Sequence, residues 1–142
     1  MTCRLVFVAL CAIPLLLSGC STVTSDAPQV LNVDDVASSI GATPQQTREG
    51  IGCVLIEAER RLEIAQYQKI VGLISGADEY RMLARESCAF KSNIASGNEL
   101  YEALGDLGFT PDQSKKLVSE LVDYLSAAGD PSVGKLLVGA QK

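Results

Sequence analysis

Seventeen carboxylates and five cysteines are the groups in this 142-residue chain that could do chemistry, and no histidine accompanies them. Histidine is the usual general base near neutral pH and the commonest metal ligand. Its absence lowers the expectation of a hydrolase or a metalloenzyme. Glu57, Glu59 and Glu63 share a stretch with Arg60 and Arg61. Glu57 and Arg61 stand in the favourable i, i+4 order, so the spacing reads as ion pairing on an exposed helix face. A glycosidase-like carboxylate pair would need a cleft, and nothing in the sequence predicts one. Asp34-Asp35 and Asp78-Glu79 sit near helix starts and read as partners of the helix dipole rather than metal ligands. The chain has no calcium-loop spacing, no Gly-x-Ser-x-Gly elbow and no phosphate-binding loop. No cofactor and no metal is expected.

The cysteines divide by position. Met1-Thr2-Cys3-Arg4 is followed by 13 mostly apolar residues, Leu5 to Leu17. That is too short to span a membrane, which takes about 20, but suits the apolar region of a signal peptide. The stretch closes on Leu17-Ser18-Gly19-Cys20. An apolar residue, two small residues and a cysteine resemble the bacterial lipobox. The resemblance implies cleavage after Gly19 and diacylglyceryl transfer to the Cys20 thiol. Residues 1–19 are then a lipoprotein signal peptide. Residues 20–30, rich in Ser, Thr, Asp and Pro, read as the lipidated Cys and a flexible tether spanning roughly 15–20 Å. Ser21, where Asp would stand in the other sorting class, points to the outer membrane, facing the periplasm.

Cys3 and Cys11 leave with the signal peptide, which leaves Cys53 and Cys88 in an oxidising compartment. A disulfide between them would contribute roughly 3–4 kcal/mol. Two small buried thiols and a reactive thiol are the other readings, the last weakened by the missing histidine.

The elements that must position these groups read as helices over 33–39, 44–62, 65–74, 78–90, 97–106, 111–127 and 131–138, with no strand signal. Residues 31–142 are therefore expected to form an all-α, compact bundle of short helices. An internal two-fold helical repeat runs through it. Ile40 to Thr47 matches Leu107 to Ser114 at an offset of 67, with Gly, Thr, Pro and the second Gln identical. Thr43 and Thr110 read as N-caps, Pro44 and Pro111 as first helical residues, and Gln46 and Gln113 as closing capping boxes. Tyr67 to Gly72 echoes Val133 to Val138 further on. Leu117, Val118, Leu121, Val122 and Leu125 form one apolar stripe. Cys53 aligns with Glu120, which falls off that stripe. Gly50 and Gly52 lie inside a predicted helix. Either they mark close helix–helix contact or the helix starts later.

The Leu-Gly-x-Thr-Pro-x-Gln start, the Asp123-Tyr124-Leu125 end of the helix, the closing Gly134-Lys135-Leu136-Leu137 and the earlier Gly76-Ala77-Asp78 are similar to the VcgC/VcgE-type domain of unknown function. The resemblance covers roughly residues 31 to 140. It implies a helical domain and transfers no catalytic residue.

With Arg4 removed, the mature chain carries 11 basic and 17 acidic residues, a net −6. Such a domain repels nucleic acid. Lys115-Lys116 and Arg60-Arg61 read as solvated faces. The expectation is a lipid-anchored envelope lipoprotein with a non-enzymatic interaction or structural domain, held to the membrane by its anchor and able to meet an envelope protein partner. The alternative is a periplasmic binding module for a small apolar ligand or lipid, lined by Phe109, Tyr101, Leu104 and Leu121. An enzyme working through carboxylates alone is a distant third.

Overall fold

Thr43 and Thr110 open the two longest helices in the same way. In a computed structural model of the chain, which describes residues 30–87, 97–129 and 131–139, each threonine hydroxyl accepts from the backbone N–H three residues on, Gln46 at 3.2 Å and Gln113 at 3.3 Å. Pro44 and Pro111 follow as the first helical residues, where an N–H would find no partner in the helix anyway.

The described elements are α1 (Val33–Ile40), α2 (Pro44–Arg61), α3 (Ile64–Val71), α4 (Ala77–Glu86), α5 (Gly97–Asp106), α6 (Pro111–Ala128) and α7 (Pro131–Gly139). Among the described residues the chain is thus an all-α bundle of seven short helices. They fall on the seven predicted segments one for one. The fourth, predicted to run from 78 to 90, ends at Glu86, and residues 88–90 lie outside the described residues. The signal peptide with Leu17, Ser18, Gly19 and Cys20, most of the tether, and Cys88 also lie outside them.

The repeat shows as symmetric helix packing. α1 and α5 end in the same turn. Gly41 and Gly108 take φ of 71° and 87°, a left-handed conformation that a side chain would strain. The next N–H then reaches back to close a Schellman turn, Ala42 to the Ala37 carbonyl at 2.9 Å and Phe109 to the Leu104 carbonyl at 3.0 Å. Each copy's glutamine ties its helix to the turn of the other. Gln46 Nε2 donates to the Leu107 carbonyl at 3.0 Å, and Gln113 Nε2 to the Gly41 carbonyl at 2.6 Å. Gln113 also accepts from the Thr110 N–H at 2.9 Å, completing its capping box. Gln46 makes only the cross-copy bond and does not close a capping box at Thr43, contrary to the sequence expectation.

The copies part company in what covers them. α7 folds back on α6, and Gly134 permits it: a Cβ there would lie 2.8 Å from the Val122 carbonyl and press on the Ser126 hydroxyl. On α2 the extensive neighbour is instead α4. Gly52 lets the α4 backbone close on α2, since its Cβ would overlap the Tyr80 carbonyl and lie 2.7 Å from Ala84 Cβ. Gly50 instead makes room for side chains, those of Leu117 on α6 and of Phe109 before it. Helix α2 starts at Pro44, so close contact and not a late start explains both glycines.

Enclosed by α1, α4, α5 and α6, α2 is buried without a break from Gly50 to Ala58. This corrects the sequence placement of Cys53 away from the core. Cys53 is fully buried, whereas its counterpart Glu120 stays partly exposed and accepts from the Ser39 hydroxyl. α6 keeps the one-sided stripe, with Leu117, Val118, Leu121 and Leu125 inside. Each such leucine or valine, fully removed from water, contributes about 1.5–3 kcal/mol.

Candidate functional site

The α5–α6 corner leaves an apolar concavity. α5 ends at the Gly108 turn, and the reversal sets the start of α6 beside the face of α5 that carries Tyr101 and Gly105. Between them lies a half-open cavity of about 250 Å³, lined by Tyr101, Gly105, Phe109, Pro111, Ser114 and Lys115. Phe109 is buried, wedged against Gly50, while Tyr101 is 36% exposed. Gly105 makes the opening, because a Cβ built on it meets nothing within 4 Å. Three walls are apolar rings, and two polar groups stand among them. Ser114 is 99% buried (1% exposed). Its repeat counterpart Thr47, equally buried, donates to the Thr43 carbonyl at 2.9 Å. Lys115, exposed, forms no ion pair among the described residues.

Of the four residues expected to line an apolar site, Tyr101 and Phe109 do so. Leu104 and Leu121 are instead core residues, 0% and 1% exposed. Gly105, Pro111, Ser114 and Lys115 were not foreseen. The one signal for them was the i, i+4 spacing of Tyr101 and Gly105, which leaves a gap beside a ring.

A second, shallower concavity of about 430 Å³ lies between α1 and α6, rimmed by Asp35, Glu120 and Asp123. Among the described residues no three carboxylate or thiol groups come close enough to hold a metal ion. Tyr124 at its edge is anchored, its hydroxyl donating to the Leu73 carbonyl at 2.7 Å.

The other titratable groups tie helices together. Glu57 does pair with Arg61, as its spacing predicts, but the carboxylate is buried at 1% exposure, not on the surface. The reason is the enclosure of α2. Burial raises the Glu57 pKa, and the Arg61 guanidinium partly opposes the rise. Its Oε2 has no hydrogen bond among the described residues. Glu59 reaches across to α4 rather than along its own helix. Its carboxylate takes Arg81 Nη2 at 2.5 Å and Arg85 Nη2 at 3.7 Å. Arg81 also meets Asp78 at 3.1 Å and lies 5.6 Å from the Tyr67 ring centroid, joining α2, α3 and α4. Asp34, Asp35, Asp78 and Glu79 occupy first helical turns, as expected of dipole partners. Burial, with help from Glu49, pushes the Cys53 thiol up to about 12, which leaves it inert. The structure carries Cys53 as a free thiol; Cys88, its expected partner, lies outside the described residues.

No described helix is long and apolar enough to cross a membrane. Residues 21–142 match the family described as protein of unknown function VcgC/VcgE (DUF2780). The chain belongs to this family. The matched stretch opens at Ser21, the residue after Cys20, and takes in all seven helices. No curated protein and no solved structure matches the chain. The family description assigns no activity, so a functional reading has to come from the residues themselves.

Proposed function

We propose that this chain is an envelope lipoprotein, anchored by acyl chains on Cys20, whose helical domain recognises a partner rather than catalysing a reaction. The observation that carries the reading is the order of parts: an apolar leader, Leu17-Ser18-Gly19-Cys20, a polar tether, then a capped helical bundle. Two or more acyl chains give stable attachment, since each buried methylene contributes about 0.8 kcal/mol. The tether lets the domain work near the outer-membrane surface on the periplasmic side. The charged groups of α2 and α4 serve packing, and none of them lines the α5–α6 cavity.

Metabolic labelling with an alkyne fatty acid tests the anchor. The intact chain should take up label and fractionate with outer membrane, and Cys20→Ala should lose both. Label that survives Cys20→Ala, or an unlabelled soluble chain, would overturn the reading. Cross-linking in cells then tests recognition, with Cys20→Ala as the mislocalised control.

One observation favours a second reading, in which the domain binds a small apolar ligand. The α5–α6 cavity is walled by Tyr101, Phe109 and Pro111. Cavities of about 150 Å³ already hold benzene.

A further inference from the structure

We draw no further inference here: the strongest candidate, the shallow groove between α1 and α6 rimmed by Asp35, Glu120 and Asp123, is a cluster of carboxylates, and nothing in the structure shows what covers it.

Discussion

Gly50 and Leu117 are the same position in the two copies of the repeat, and they face each other where α2 crosses α6. A Cβ on Gly50 would lie 2.7 Å from Leu117 Cδ2 and 2.9 Å from the Phe109 ring. Equivalent positions meet at a local two-fold, so two large side chains would contend for one space. The chain resolves this by making one of them glycine.

Three glycines should therefore respond differently to alanine. Gly50→Ala forces Leu117 and Phe109 to shift and should cost about 1–3 kcal/mol. Leu117→Ala in that background should recover part of the loss. Gly52→Ala meets the Tyr80 backbone, which cannot step aside, and should cost more than about 3 kcal/mol. Gly105→Ala enters open space on a helix and should stabilise by about 0.5–1 kcal/mol. Urea unfolding of the three variants checks the order; a neutral Gly52→Ala would refute the close α2–α4 approach.

The two glutamines should not be equal either. Gln46→Ala loses one bond between the copies, worth about 0.5–1.5 kcal/mol. Gln113→Ala loses its cross-copy bond and also a capping-box bond, so its cost should be larger, about 1–2.5 kcal/mol. Thermal unfolding of both variants and of the pair reads the difference.

Glu57 should make stability depend on pH. Burial holds its folded pKa above the unfolded value, so the native state binds more protons there. The contribution of Glu57 is fully present below the ordinary carboxylate range, about 4.3, and is lost as pH rises through the raised folded value. Glu57→Gln lacks this titration. Its stability should gain on that of the unaltered protein from acid toward neutral pH, read as the difference between two sets of denaturation curves. A difference flat in pH would mean that Arg61 cancels the burial.

Cys53 should refuse iodoacetamide in the folded protein. With its pKa near 12, about one thiol in 10⁴ is ionised at pH 8, and burial blocks the reagent. Denaturant without reductant should then admit one label at Cys53. Refusal of label until a reductant is added would instead establish the bond to Cys88 that the cysteine count first suggests.

By itself the sequence determined the helices and their ends. Thr43, Pro44, Thr110 and Pro111 act within three residues of themselves, and Gly41 and Gly108 need only a backbone conformation that other residues resist. Such signals are local, so they read the same before and after folding. The repeat was legible for the same reason, and so was the Glu57–Arg61 partnership, set by one helical turn. What surrounds each helix was decided only by tertiary structure. The sequence of α2 does not say that α4 will close over it, and that closure puts Cys53 and Glu57 inside. The partner of Gln46 lies 61 residues away, at a carbonyl that no spacing rule selects. The α5–α6 cavity arises because Gly105 and Ser114 are brought side by side across a turn. Spacing along a chain records which residues share a face, while burial depends on what that face meets.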